Sequence, residues 1–452
     1  MFAKPSRSRA ASRKLNIALL IAASLLASGC AKKEAPQEKP AQDAPKSERA
    51  PERGAAESPI GEAKLGLLFG LARFEVEGDK VTAKPLPARA DFLYQKDGEW
   101  TLKSFDDADS NVFHKVMAYE GADGKKSLLT FGGMGAFVKR WNLVGGKLEA
   151  ETLWEEDFGG RWSRMRDAEV GDLYGDGKPA IAIATHDQGI VAILRDHGDR
   201  FELNKIDEEP NTFVHEIEIG DLDGDGVLEV YATPSEPNRI GVDVQTGQVV
   251  RYIPKKGEGR KVVADLGNRH AKEIFVGDMD GDGKDELYVA VEAKTSGSGA
   301  SLTIDEPVEI RRYLADTPAD QGFVVATLPD RFTRFLTVGD IDGSGKKVMV
   351  AAAFRSGVWL LTPSSDPNEP WKVENIDRDS SGFEHAALFA DLDEDGKDEL
   401  YIAADEQGEI RRYVWGDEGV KRETLYKREG PPRATLTWNI MPAAPELVVG
   451  SE

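Results

Sequence analysis

A nine-residue segment in the middle of the chain carries four carboxylates at a spacing that suits a hard cation. Asp278, Asp280 and Asp282 occupy its alternate positions 1, 3 and 5, and Glu286 occupies position 9. Calcium takes about six to eight oxygen ligands, which a short loop supplies when acidic side chains alternate along it. The backbone carbonyl of Lys284, at position 7, is the expected further ligand. The segment therefore predicts a calcium-binding loop.

The same segment recurs twice with all four carboxylates in place, which makes the calcium prediction stronger. The expected ligands of the earlier copy are Asp221, Asp223, Asp225 and Glu229, with the backbone carbonyl of Val227. Those of the later copy are Asp391, Asp393, Asp395 and Glu399, with the backbone carbonyl of Lys397.

Two further copies have lost part of the ligand set. In one copy only Asp172 and Asp176 remain as side-chain ligands, and in the other only Asp340 and Asp342 remain. Each lost carboxylate removes both a ligand and a negative charge. Whether these two copies bind calcium is therefore left open.

The spacing of the loops predicts the architecture. Loop starts, including decayed copies, fall at 119, 172, 221, 278, 340, 391 and near 438, so that the intervals are 53, 49, 57, 62, 51 and 47 residues. Each loop precedes an apolar strand-like run, and four strands can be assigned per interval, as in the segments 385–390, 399–404, 409–415 and 421–426. Strand-rich repeats of this length are typical of a β-propeller. We expect an all-β fold of seven four-stranded antiparallel blades, with eight as the open alternative.

Closure of the ring is expected to use both ends of the chain. Residues 434–450 are predicted to supply two strands of the closing blade, and residues 91–105 two more. The hairpin-like segment 67–85 then remains, either as a capping extension or as part of an eighth blade.

The acidic loops and the strand that follows each of them, such as Glu286–Ala290, resemble the FG-GAP and VCBS repeats. These are blade repeats that also build the heads of integrin α-subunits. The resemblance covers most of residues 107–450 and is specific in three copies. It implies a calcium-loaded propeller in which the loops are structural staples between the first two strands of each blade. It also implies that the strand before each loop is the innermost one.

A second pattern lies six positions before the loops. The basic or potentially basic residues at this offset are Arg166, His215, Lys272, Arg334 and His385. Two positions earlier, on the same face of a strand, stand Arg164, Phe213, His270, Phe332 and Phe383. The resemblance places these residues at the channel mouth opposite the loops. They predict a cationic and aromatic collar for an anionic or sugar-like ligand, unless they only pair with acids of neighbouring blades.

The N-terminal 62 residues are not expected to belong to the fold. Residues 1–29 combine a basic start with a short apolar stretch, as in an export signal. The end of this stretch, Ala27–Cys30, resembles the lipobox of bacterial lipoproteins, which implies a lipid on Cys30 and, with Ala31 next, sorting to the outer membrane. Residues 30–62 read as a disordered Ala/Pro/Glu/Lys tether, and residues 63–452 as the propeller. Which face of the membrane the propeller occupies is left open.

Charge and cysteine content limit the partners. The chain carries 80 acidic and 58 basic residues, for a net charge of −22. Such an acidic protein is not expected to bind nucleic acid. Cys30 is the only cysteine, which excludes an intramolecular disulfide. We expect a monomer whose partners are the lipid anchor and an unidentified protein or glycan.

No pattern in the sequence predicts catalysis directly. The chain has no nucleophile elbow, no zinc-type His/Cys spacing and no glycine-rich phosphate loop. The sequence therefore predicts a non-enzymatic, membrane-anchored binding module that calcium stabilises. Two alternatives stay open: an envelope scaffold, and a calcium-dependent polysaccharide lyase or hydrolase. In a lyase, a collar cation would neutralise a uronate while a base abstracts its proton.

Overall fold

The computed structural model of the chain describes residues 63–159, 163–237, 246–297 and 301–450. The predicted signal segment, the tether and Cys30 lie outside this part. Its regular structure consists of β-strands and short 3-10 turns, such as Pro254–Lys256 and Pro445–Leu447, and these residues form no α-helix. The all-β prediction is confirmed. Among the described residues there is also no helix with the length and hydropathy of a membrane span.

Five four-stranded antiparallel sheets follow one another along the chain. The first contains β9 (Met165–Gly171), β10 (Ala180–Thr185), β11 (Val191–Asp196) and β12 (Phe201–Asp207). The second contains β13 (Phe213–Gly220), β14 (Glu229–Ser235), β15 (Gln248–Ile253) and β16 (Glu258–Asp265). The third contains β17 (Ala271–Gly277), β18 (Glu286–Val291), β21 (Val308–Tyr313) and β22 (Phe323–Leu328), with the hairpin β19 (Lys294–Ser296) and β20 (Thr303–Glu306) inserted. The fourth contains β23 (Thr333–Gly339), β24 (Val348–Ala353), β25 (Val358–Thr362) and β26 (Lys372–Asp377). The fifth contains β27 (Ala387–Ala390), β28 (Glu399–Ala404), β29 (Glu409–Gly416) and β30 (Gly419–Lys427).

Both ends of the chain meet in a larger sheet. One part of it contains β5 (Val112–Glu120), β6 (Lys126–Gly133), β7 (Ala136–Val144) and β8 (Lys147–Glu156). The other part contains β31 (Thr435–Ala443), β1 (Gly66–Glu77), β3 (Ala88–Lys96) and β4 (Glu99–Asp107), with β2 (Lys80–Pro85) paired only to β1. A single residue pair, Ala72 with Val112, joins the two parts.

The closing sheet differs from the prediction of two strands from each end. Strand β1 pairs with both β31 and β3, so the C-terminus supplies one strand and the N-terminus three. The segment 67–85 is therefore not left over, because its run Leu67–Leu71 is buried as a central strand. A second C-terminal strand does not form, because Pro445 begins a 3-10 turn directly after β31.

The first strands of successive sheets form a closed ring. Strands β5, β9, β13, β17, β23, β27 and β31 contact one another in this order, and β31 contacts β5. Apolar side chains fill the space between neighbouring sheets, as where Ala182 and Ile217 share one cluster. This arrangement is a β-propeller, as predicted. Because each acidic loop joins a first strand to a second, the loops lie at one end of the ring and the starts of the first strands at the other.

Candidate functional site

The loop between β17 and β18 brings its four carboxylates together. One oxygen each from Asp278, Asp280, Asp282 and Glu286 lies within 4.8 Å of the others. The two Asp278 oxygens accept the amide protons of Gly281 and Gly283, at 2.6 and 2.9 Å. This all-oxygen donor set fits calcium.

The other two intact copies converge through their aspartates. Asp221, Asp223 and Asp225 form one group, and Asp391, Asp393 and Asp395 form another, within the same distance limit. Their position-9 residues stand apart from these groups. Glu229 lies 2.8 Å from the Arg251 guanidinium, and Glu399 accepts the Tyr401 hydroxyl at 2.9 Å. The carbonyls of Val227, Lys284 and Lys397 stay predicted ligands.

The damaged copies gather no group of three acidic side chains within the described residues. Asp176 instead forms an ion pair with Arg195 at 2.7 Å, while Asp172 accepts two backbone amides of its own loop. Asp340 likewise accepts the backbone amides of Ser344 and Gly345. The nearby Asp342 is exposed.

Burial makes the position-9 carboxyls hard to ionise without a cation. For Glu286, burial and the nearby Asp280 and Asp278 raise the pKa to about 7. For Glu399, burial and the nearby Asp393 raise the pKa to about 7. A divalent ion beside them would restore the charged form.

In three of the loops, the residue at position 8 forms a hydrogen bond with the preceding loop. Asp285 accepts the Asp221 backbone amide at 2.7 Å, and Asp398 accepts that of Asp340 at 2.8 Å. Lys347 donates to the Asp278 carbonyl at 2.8 Å. This link between blades was not predicted, because a residue beside the ligands carries no sequence signal of its own.

At the opposite end of the ring, a β-bulge recurs in the first strands. It contains four of the five residues of the predicted collar. The pairing register skips one or two residues in six of them. The skipped residues include His114, Arg166, His215, Lys272, Arg334 and Trp438. A bulge re-aims a side chain and interrupts the alternation of a strand. Each strand can therefore direct two consecutive residues toward the ring axis.

Three of the collar residues form one hydrogen-bonded cluster. Arg166 Nη2 and Arg334 Nη1 both donate a hydrogen bond to His215 Nε2, at 2.9 and 3.0 Å. A nitrogen that accepts from two guanidinium groups carries no proton, so His215 is neutral with its proton on Nδ1. Burial, together with Arg166 and Lys272, lowers the pKa of His215 well below its usual value.

Lys272 joins this collar, and His385 does not. Lys272 lies 3.3 Å from Glu292, and burial next to Arg334 lowers its pKa to about 8. His385 contacts Ser380 and the Ala353 carbonyl instead, at 2.7 and 2.6 Å. His385 has a left-handed backbone, with a φ of 57°, and lies before the first residue of β27, Ala387.

Glu384 takes the place that the sequence assigned to His385. Its carboxylate lies 3.2 Å from Arg334 and 4.0 Å from Arg166.

Aromatic rings surround the collar cations. The Arg334 guanidinium lies 4.6 Å from the Phe383 ring centre and 5.0 Å from that of Phe332. The Arg166 guanidinium lies 5.1 Å from the Trp438 ring centre. Such faces attract cations and also suit the apolar face of a sugar.

A cavity of about 190 Å³ lies on the ring axis and is lined from every first strand or the turn before it. Below Arg166 and Arg334 its wall carries a layer of acids that the sequence did not predict: Asp167, Glu169, Glu216, Glu218 and Glu273. Lys115 lies among them, 3.1 Å from Asp167. Burial and nearby Asp167 raise the pKa of Glu216 and of Glu273 well above the usual value. This shift favours the protonated form of both carboxyl groups.

Several buried polar atoms around the collar have no hydrogen-bond partner among the described residues. They are His114 Nε2, His215 Nδ1, His270 Nε2, Arg334 Nε and Trp438 Nε1. Buried polar groups are nearly always hydrogen-bonded. Such a concentration makes the collar a candidate site for a polar ligand.

Comparison with known proteins finds a sequence similarity to an enzyme. No protein-family model matches the chain. The chain is 25% identical over 247 residues to the rhamnogalacturonan exolyase YesX of Bacillus subtilis. This match covers 44% of the chain and only 39% of that enzyme's length.

Solved structures support the fold. A protein from Lactobacillus plantarum has a TM-score of 0.53 at 10% identity, over 84% of this chain and 99% of its own. A 6-phosphogluconolactonase candidate from Bacteroides uniformis has a TM-score of 0.51 at 11% identity, over 84% of this chain and all of its own. At such identities the likeness concerns the β-propeller alone.

The similarity to a lyase overturns the predicted function. The chain was expected to be a binding module without enzymatic activity, and that prediction is wrong. Residues that the fold gathers from different blades leave no short catalytic motif in the sequence, so the absence of such a motif does not exclude an enzyme.

Proposed function

We propose that the protein is a calcium-dependent polysaccharide lyase that acts on the end of a uronate-containing chain at the collar. The observation that carries the proposal is the sharing of one His215 nitrogen by Arg166 and Arg334 above a layer of buried carboxyl groups. The similarity to a rhamnogalacturonan exolyase supports the same reaction class.

The cluster suits recognition of a uronate. A carboxylate is a stronger acceptor than a neutral imidazole, so it would take both guanidinium groups from His215. Their positive charge would make the hydrogen at C5 of the sugar more acidic. The cavity of about 190 Å³ is smaller than the roughly 300–1,000 Å³ of common ligand pockets. That size favours one terminal sugar over the interior of a polymer.

The displaced imidazole would then act as the base. The C5 proton passes to His215 Nε2, a C4=C5 double bond forms and the C4–O bond breaks. The leaving oxygen takes a proton from a carboxyl of the acidic layer, for which Glu216 and Glu273 are the candidates. One proton leaves C5 and one is given to the leaving oxygen, so the elimination needs no other reactant.

The experiment is incubation of the purified chain with a panel of uronate polysaccharides. Ultraviolet absorbance reports the unsaturated product of a lyase, and reducing ends without absorbance would report a hydrolase. We expect absorbance, and a loss of about 100-fold or more in His215→Ala. Arg200→Gln, an exposed change on an outer hairpin, is the matched control. Absence of product on every polymer, or full activity of His215→Ala, would overturn the proposal.

The finer architecture belongs to the same proposal. The five four-stranded sheets and the two parts of the larger sheet support seven blades, closed by β31 against β1. The three converging loops support the FG-GAP/VCBS assignment and calcium as a structural cofactor.

We also propose a lipid anchor on Cys30 and an outer-membrane location, on the basis of the lipobox resemblance. Cys30→Ser should abolish incorporation of labelled fatty acid and release the protein from membranes. Retention of the label would refute the anchor.

A further inference from the structure

An arginine accompanies each intact acidic loop. Two residues after each loop, the second strand has a tyrosine that pairs with an arginine on the neighbouring strand. The pairs are Tyr231 with Arg251, Tyr288 with Arg312 and Tyr401 with Arg412. In the damaged copies both members are replaced, by Ala182 with Ile193 and by Val350 with Leu360. The arginine thus occurs with the complete set of carboxylates.

In the loop that begins at Asp221, this arginine neutralises the carboxylates. Arg251 Nη1 lies 2.8 Å from Glu229 Oε1 and 3.7 Å from Asp223 Oδ2. Lys256 pairs with Asp225 of the same loop. Two basic side chains of the protein therefore neutralise carboxylates that would otherwise bind a divalent ion.

In the loop that begins at Asp278, the arginine turns away. Arg312 donates to the Pro367 carbonyl at 2.7 Å and lies over the Phe323 ring. Within the described part of the chain, no basic side chain lies within ion-pair distance of its four carboxylates.

Glu286 is the decisive member of that group. It is 2% exposed, and it accepts hydrogen bonds from the Met279 amide and the Tyr288 hydroxyl through Oε2 only. Its carboxylate nevertheless belongs to the converging group. A buried carboxylate without a counter-charge is costly, and a bound cation would remove that cost.

We infer that residues 278–286 form the primary calcium site, and that Arg251 is a tethered counter-ion which calcium must displace from the 221–229 loop. The inference rests on the calcium cofactor proposed above. The loop at 391–399 ranks between them. Its aspartates converge without Glu399, but the corresponding Arg412 pairs with Glu423 and not with this loop.

Calorimetric titration of the chelator-treated chain with calcium alone tests this ranking. Asp280→Asn with Asp282→Asn should remove the tightest class of sites. Arg251→Met should tighten a weak site by about tenfold, equivalent to about 1.4 kcal/mol. Arg312→Met, the matched control at the same register, should leave affinity unchanged. Arg251→Lys keeps the charge and should stay near the wild-type affinity even if Arg251→Met folds poorly.

Three results would contradict the inference. The tightest class could survive in the Asp280/Asp282 variant, or Arg251→Met could titrate like the wild type. A wild-type chain that binds no calcium would remove the cofactor as well. The cleavage assay of His215→Ala is read separately, so failure of the lyase proposal and failure of this ranking remain distinguishable.

Discussion

Arg334 donates from Nη1 to Nε2 of His215 at 3.0 Å, although the two residues are 119 positions apart in the chain. The contact links strands β23 and β13, which flank β17 in the ring. It exists because a bulge in each strand turns a residue inward at the same level.

Loss of the two collar guanidinium groups should impair substrate recognition. Arg166→Gln with Arg334→Gln keeps polar side chains but removes the charge that a uronate requires. We expect kcat/KM to fall by about 100-fold or more, since hydrogen bonds between charged groups contribute about 1.5–3 kcal/mol each. Steady-state kinetics on the cleaved polymer measures this. An unchanged KM and kcat would place the site elsewhere.

Buried His385 should make stability fall on acidification. Burial lowers its pKa to about 4 from a usual 6.5. Between these values the unfolded chain binds a proton that the folded chain does not, so unfolding becomes easier as pH falls. This histidine alone should cost about 1.4 kcal/mol per pH unit in that window.

Urea unfolding between pH 7 and pH 4.5 measures the effect. His385→Asn removes the titration and tolerates the left-handed backbone at this position, where φ is 57°. The variant should show a shallower loss of stability than the wild type. Parallel pH curves for the two proteins would contradict the prediction.

Calcium removal should lower the melting temperature. A ligand at 100 times its dissociation constant stabilises by about 2.7 kcal/mol per site. Asp280→Ala should reduce the calcium-dependent shift, because Asp280 belongs to the converging group. Asp342→Ala should change it less, because its loop forms no such group in the described chain. Thermal scans with calcium and with chelator compare the three proteins.

The link between neighbouring loops should contribute to stability without calcium. Asp285→Ala removes the acceptor of the Asp221 amide and should cost about 1 kcal/mol in chelator. Asp285→Asn keeps an oxygen acceptor and serves as the control. If the two variants unfold at the same urea concentration, the hydrogen bond has no measurable effect.

Local patterns in the sequence were sufficient for the loops and strands. The ligands of the 278–286 loop are close in sequence, and β28 spans Glu399–Ala404, the segment that its apolar run predicts. The closing sheet was less predictable, because the choice among N-terminal strands depends on pairing with β31 from the other end of the chain.

The collar could be predicted only in part. The constant offset of six residues identified Arg166, His215, Lys272 and Arg334, but it also selected His385, where the backbone turns before the strand begins. Asp167 and Glu216 were missed because simple alternation would turn them away from the axis. The bulges that reverse this have no local sequence signature.

The first described residues show at which end of the ring a tether would attach. The backbone amides of Lys64 and Leu65 donate to the Leu392 carbonyl, at 2.8 and 3.2 Å, within the 391–399 loop. The polypeptide thus joins the ring on the face that carries the acidic loops. With a lipid on Cys30, the tether would therefore enter on this face and leave the opening that holds Arg166 and Arg334, at the opposite end of the ring, free of the anchor.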